Sequence, residues 1–106
     1  MALMVVDEKI LNYQIDNIKD SMKIVVGKIF RLLPTYEEGK DWSKPLETLI
    51  IELTGMTLIQ PDIPLLYQLL YKLQGLKQEG ENMELMSFRR VVFEACNIAN
   101  RIQESL

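Results

Sequence analysis

The stretch DEKILNYQIDNIKDSMKIVVGKIFRLL, residues 7–33, decides the fold. Its apolar positions Leu11, Ile15, Ile18, Met22, Val25, Ile29 and Leu32 are separated by steps of 4, 3, 4, 3, 4 and 3. Seven residues are close to two turns of α-helix, so this alternation keeps all seven side chains on one stripe. A strand would alternate every second residue and scatter them over two faces. Asp16–Lys19 and Asp20–Lys23 are spaced as i,i+3 pairs for the opposite, solvated side. Pro34 has no N–H for the helix ladder and is expected to stop the segment.

Outward from this helix the same period recurs three times. Residues 34–44 read as a loop, and Ser43 is a candidate N-cap with Pro45 in the first turn. The second segment carries Leu46, Leu49, Ile50, Leu53 and Met56, and is expected to end between Gly55 and Leu58. Thr48 to Thr54 is rich in β-branched residues, so a strand competes there. Its 3,4 spacing and the lack of a partner strand favour helix. Pro61-Asp62-Ile63-Pro64 is the next turn, with Asp62 able to cap and Pro64 suited to the first turn of a third helix bearing Leu65, Leu66, Leu69, Leu70, Leu73 and Leu76. Gly75 to Asn82 reads as the third break. The last helix starts at Met83 or Ser87 and runs to Glu104. Its inner face is Phe88, Val91 or Val92, Ala95, Ala99 and Ile102, with Cys96 beside it. Four helices, each with one apolar stripe and short connections, predict an all-α antiparallel four-helix bundle, up-down-up-down, with a long first helix, formed by residues 1–106 as one domain.

The bulk numbers narrow the chemistry. The chain has 106 residues, no histidine, one cysteine, 12 basic and 15 acidic side chains. Without histidine there is no His-ligated metal, no Ser-His-Asp or Cys-His pair and no histidine phosphocarrier. One thiol makes neither an internal disulfide nor a cysteine-rich metal site. The net charge of −3 argues against nucleic acid, which needs clustered Lys and Arg against phosphate. The apolar start, Met1 to Val6, is too short for a signal-peptide core, and no run nears the ~20 apolar residues of a membrane span. A lone cysteine suits a reducing compartment, so the expected location is the cytoplasm.

Cys96 on an apolar helix face reads as an inert buried thiol rather than a nucleophile. Carboxylates are the remaining acid–base resource. Glu37-Glu38 and Glu79/Glu81 fall in loops beside glycine, and Glu47 and Glu52 lie five apart on different faces, so no pair is spaced for catalysis or for a di-metal centre. No catalytic residue, cofactor or metal site is expected, and the chain is read as a binding protein rather than an enzyme. Tyr36, Trp42, Tyr67 and Tyr71 are the candidate partner-binding aromatics, because Tyr and Trp combine apolar area with a polar end. Trp42 and Tyr36 fit equally a lid over the bundle end. Arg89, Arg90 and Arg101 add a basic side to the last helix; Arg90 and Arg101, eleven apart, share a face. Salt bridges to Glu94 and neighbouring helices compete with a partner role for these arginines. Residues 34–66 carry six acids against two bases, a weak attraction for a basic partner. The six methionines, Met83 and Met86 among them, suit gap filling or an adaptable binding surface. The first-helix seam serves either the core or, where the other helices fail to cover it, a homodimer through that helix.

The order of helices and loops resembles the cytosolic immunity proteins of pediocin-like (enterocin A type) bacteriocin producers. The likeness is carried by Leu46–Leu53, by Pro61-Asp62-Ile63-Pro64-Leu65-Leu66 with Leu69 and Leu73, by Phe88 opening the last helix and by Ile98-Ala99-Asn100-Arg101 closing it. It covers roughly residues 10–102, as pattern more than identity. It implies a small antiparallel four-helix bundle without catalysis that blocks a toxin-engaged sugar-permease complex from inside the producing cell. It also implies recognition through the C-terminal half, hence through Tyr67, Tyr71, Arg89, Arg90 and Arg101. A regulator or adaptor of a phage or other mobile element, acting by protein–protein binding, is the alternative.

Overall fold

The computed structural model describes the backbone from residue 8 and the side chains from residue 17 onward, to residue 106. Four helices follow in order: α1 (Glu8–Glu37), α2 (Ser43–Ile59), α3 (Pro64–Glu79) and α4 (Leu85–Ser105), with a 3-10 turn at Gly80–Asn82 before α4. Each helix packs against its neighbour in sequence, and α4 closes the ring through its extensive interface with α1. The bundle is antiparallel. Across α1 and α4, Tyr36 meets Phe88, Phe30 meets Phe93 and Val26 meets Cys96, so the numbering runs in opposite directions; Lys28–Glu52, Glu47–Lys77 and Lys72–Glu94 each join residues about equally far from the turn that connects their helices, as antiparallel hairpins require.

The stripe that opened the reading is the spine of the core. Ile18, Met22, Val25, Ile29 and Leu32 are buried, joined by Leu33. They meet Leu46, Leu49 and Leu53 of α2, Leu66, Leu69, Leu73 and Leu76 of α3, and Phe88, Val92, Ala95, Cys96, Ala99 and Ile102 of α4. Val92 takes the place on the inner face and Val91 the flank. From Ile18 to Leu32 the seam is therefore covered by this chain's own helices. Leu11 and Ile15 lie outside the described side chains, and so does the Asp16–Lys19 pair; the other expected pair, Asp20–Lys23, stands at 4.0 Å on the surface.

Four boundaries or caps differ from the sequence reading. Pro34 does not stop α1; it sits inside the last turns, and the helix runs to Glu37. The turn closes around it: Thr35 Oγ1 donates to the Arg31 carbonyl at 2.8 Å, and the Glu38 N–H donates to the Pro34 carbonyl at 2.9 Å. Gly39, at φ 70°, ends the helix, with the N–H groups of Gly39 and Lys40 donating back to Tyr36 and Thr35. Ser43 is not the N-cap of α2. Trp42 holds that position without a side-chain bond, and the capping oxygen comes from Asp41 just outside, whose Oδ1 accepts from Ser43 N–H at 3.0 Å and from Ser43 Oγ at 2.7 Å. Those two bonds hold the Asp41 carboxyl below its ordinary range. Nor does Asp62 cap α3, whose N-cap is Ile63 with Pro64 in the first turn. Gly75 does not break α3, because burying Leu73 and Leu76 on either side outweighs the ~1 kcal/mol cost of an interior glycine. The Thr48–Thr54 stretch is helical.

Candidate functional site

The seven residues singled out in the sequence fall into three places. Tyr36 and Trp42 close the end of the bundle where α1 finishes and α4 begins. Tyr36 stacks on Phe88, ring centroids 4.0 Å apart at 17°, and its hydroxyl donates to the Met83 carbonyl at 2.6 Å. Trp42 meets the same Phe88 edge-on at 5.2 Å and lies over Gly80 on its other side. Both rings are half-buried and fully engaged, which is the lid arrangement. This lid also explains the extra turn of α1. Tyr36 must reach Phe88 from a helical backbone, and that tertiary contact overrides the local stop at Pro34.

Tyr67 and Tyr71 occupy the outer face of α3 one turn apart, and Tyr71 is 80% exposed. Arg90 and Arg101 run along the outer face of α4, three turns apart and exposed. Their expected bridge to Glu94 is not made. Glu94 lies on the flank of α4 that faces α3, and Lys72 crosses from α3 to pair with it. Among the described residues no carboxylate stands within ion-pair distance of Arg89, Arg90 or Arg101. A groove of about 370 Å³ opens between α3 and α4 beside Tyr71, Gly75, Met83 and Val91, with Gly75 leaving it unfilled.

Arg89 belongs to the neighbouring face, between α4 and α1. Its guanidinium lies 5.3 Å from the Phe93 centroid, and Phe93 is edge-on to Phe30 at 5.6 Å. Phe30, Phe93 and the adjoining Met86 are exposed. Sequence reasoning passed over both phenylalanines because each stands one position from a core residue, Ile29 and Val92. That offset was also the available signal: a bulky aromatic just off a strict seam points to the seam's rim.

The thiol and three of the candidate carboxylates are each held by a single contact. Cys96 is buried with its Sγ 3.9 Å from the Val26 carbonyl, and burial pushes the thiol pKa up. Glu52 pairs with Lys28 at 3.0 Å, Glu47 with Lys77 at 3.8 Å and Glu38 with Lys40 at 2.9 Å. Among the described residues no three of His, Cys, Asp and Glu gather as a metal set, and no helix is long and apolar enough to cross a membrane. The chain matches no family model, no curated protein and no solved structure among those compared.

Proposed function

We propose that the protein acts in the cytoplasm as a non-catalytic binding protein that protects a bacteriocin producer by engaging a toxin-occupied sugar permease. The carrying observation is the outer surface of α3 and α4. Tyr67, Tyr71, Arg90 and Arg101 are exposed there together, and the arginines are not neutralised by any described carboxylate. Tyr and Arg dominate the energetic centres of protein interfaces. The resemblance noted in the sequence assigns recognition to the C-terminal half, which is where these four residues lie. The four-helix bundle is the fold that the same resemblance implies.

Expression in a strain sensitive to pediocin-like toxins tests the reading. Survival is expected with the unaltered chain and is lost with Tyr71→Ala combined with Arg90→Glu. Both sites are exposed, so the bundle should still fold. Unchanged killing by a panel of such toxins would sink immunity as the function.

The second reading, a phage or mobile-element adaptor, is favoured by one separate observation. The Phe30–Phe93–Arg89 patch recruits α1 and lies on a different face from Tyr71. A pull-down recovering one stoichiometric partner unrelated to sugar uptake, released by Phe93→Ala, would establish it. A homodimer through the first helix is retained only in a form that rests on Leu11 and Ile15, because the seam from Ile18 onward is consumed by the core.

A further inference from the structure

Cations and acids are sorted between the two halves of the bundle. Residues 17–36 of α1 and 85–103 of α4 hold seven cations and two acids, and both acids are engaged, Asp20 by Lys23 and Glu94 by Lys72. Residues 37–84, which include α2, α3 and their connections, hold nine acids and four cations. Lys28 is the one cation of the first group that is spent on the second, against Glu52. Each of the five ion pairs among the described residues is made by a lysine, and Arg31, Arg89, Arg90 and Arg101 make none. Arginine grips a carboxylate through two parallel N–H bonds, so the side chains best suited to hold an acid are the ones left without one. Around two of them the surface is apolar. Leu85, Met86 and Phe93, one turn before or after Arg89 and Arg90, are exposed, and Phe30 of α1 adjoins Phe93 edge-on. Apolar neighbours exclude water once a partner covers them, which strengthens the attraction of these cations for a carboxylate.

We infer that the α1–α4 face receives an acidic amphipathic helix of a protein partner, with an apolar side chain on Phe30 and Phe93 and carboxylates on Arg89 and Lys23. The register of α1 on α4 sets the spacing. From Tyr36–Phe88 to Val26–Cys96 the α1 numbers fall by ten while the α4 numbers rise by eight, so Lys23 stands about level with Ala99. Ala99 is ten residues beyond Arg89, about 15 Å along the helix, so the partner's two carboxylates lie about three turns apart on one face. At the Lys23 end a hollow of about 440 Å³, lined by Lys19, Asp20, Lys23 and Gln103, gives the second carboxylate room. Between the two ends α4 exposes Asn97 and Asn100, which are uncharged and repel no acid. Glu37 and Glu104 stand where the face ends, and this suits a short acidic helix better than a nucleic acid or an anionic bilayer running past them. The inference deepens the reading of the Phe30–Phe93–Arg89 patch as a partner surface by naming what the partner carries, and it does not involve Tyr71.

Nuclear magnetic resonance titration of the full chain with two designed peptides tests this. Each is a capped helix of about 18 residues with leucines on one stripe; the first carries glutamates on the flanks of that stripe and the second lysines in their place. The glutamate peptide should bind with a Kd of roughly 10–500 μM, shift the resonances of Phe30, Phe93, Arg89 and Lys23, and weaken as salt is raised. The lysine peptide should bind at least about 10-fold more weakly. Lys23→Glu with Arg89→Glu, both at exposed sites, should keep the circular dichroism of the parent and reverse the preference between the two peptides. Tyr71→Ala should change nothing in this titration. The proposal is overturned by a glutamate peptide that shifts no resonance at about 1 mM, by equal binding of the two peptides, or by shifts confined to α2 and α3. Binding of anionic phospholipid vesicles in place of the glutamate peptide, or assembly of the chain through its own acidic half, would overturn it too. A partner released by Phe93→Ala that presents no acidic helix would also overturn it, while leaving the patch standing as a partner surface.

Discussion

Gly80→Ala should destabilise the protein although its backbone would welcome an alanine. Gly80 sits at φ −58° and ψ −33°, ordinary right-handed helical values. On backbone grounds alone the substitution should stabilise by about 0.4–1 kcal/mol, through lost freedom of the unfolded chain. The opposing effect is steric. A Cβ at residue 80 would overlap the six-membered ring of Trp42, with Cη2, Cζ2 and Cζ3 all in the way. The ring cannot simply swing aside, since Phe88 blocks it edge-on at 5.2 Å and Tyr36 is 6.3 Å away. Overpacking a fixed site costs about 1–3 kcal/mol, so the net loss should be roughly 1–2 kcal/mol. For a domain of this size that lowers the melting temperature by about 5–15 °C. Gly75→Ala is the matched control, five residues earlier in α3 with nothing within 4 Å of its Cβ position, and should stabilise by about 0.5–1 kcal/mol. Urea titration followed by far-ultraviolet circular dichroism reads both without depending on the tryptophan. Trp42→Leu should be costly by itself but should remove most of the penalty of Gly80→Ala when the two are combined. A Gly80→Ala protein as stable as its parent would refute the account of Trp42 as a wedged lid.

Three further outcomes follow from the same geometry. Tyr36→Phe keeps the stack on Phe88 but orphans the Met83 carbonyl, and should cost about 1 kcal/mol in the same urea titration. Cys96 should react with a thiol reagent at neutral pH only as fast as the bundle opens, because burial raises its pKa and covers the sulfur; fast labelling of the folded protein would contradict this. Asp41 has a folded pKa below its unfolded one, so its contribution to stability is present above the unfolded pKa and fades as pH falls through the folded value. Asp41→Asn should therefore weaken the protein slightly at neutral pH and leave less acid-induced loss below about pH 4, seen by comparing urea midpoints across that range.

The helices were legible wherever one apolar stripe repeats without rival. The Ile18–Leu32 spine and the Leu66–Leu76 line of α3 are buried as the 3,4 steps require. What the local rules misjudged was decided by contacts between segments distant in sequence. Pro34 is a sound local stop, yet Tyr36 two residues later stacks on Phe88 of α4 and draws the helix onward. Gly75 is a sound local break, yet core leucines on both sides hold the turn together. Trp42 follows no period because it enters from a loop, and its fate depended on the glycine at position 80 leaving room for the ring. The candidate surface shows the same division. Exposure of Tyr71, Arg90 and Arg101 follows from their offset to the seams, whereas the pairing of Glu94 with Lys72 needed the register of α3 against α4.

α2 is read less cleanly for a different reason. Between Lys44 and Leu58 a second line, Thr48–Ile51–Leu58, runs beside the Leu46–Leu49–Leu53 stripe that the 3,4 spacing marks as the inner face. The ambiguity with a strand came from the same excess of β-branched residues. Burial of the leucine line resolves it: Leu46, Leu49 and Leu53 are fully buried, and the pairs Glu52–Lys28 to α1 and Glu47–Lys77 to α3 lie on the two flanks of that line. A helix with two apolar lines ordinarily buries both. Here one side is buried by the chain itself and the other is open. Holding Ile51 and Leu58 in water has no benefit to the monomer's fold, since each exposed aliphatic side chain forgoes up to about 1.5–3 kcal/mol of burial. Ile51→Glu and Leu58→Glu should therefore leave the free energy of unfolding within about 0.5 kcal/mol of the parent in a urea titration, and a larger loss would show that the outer line contributes to the fold.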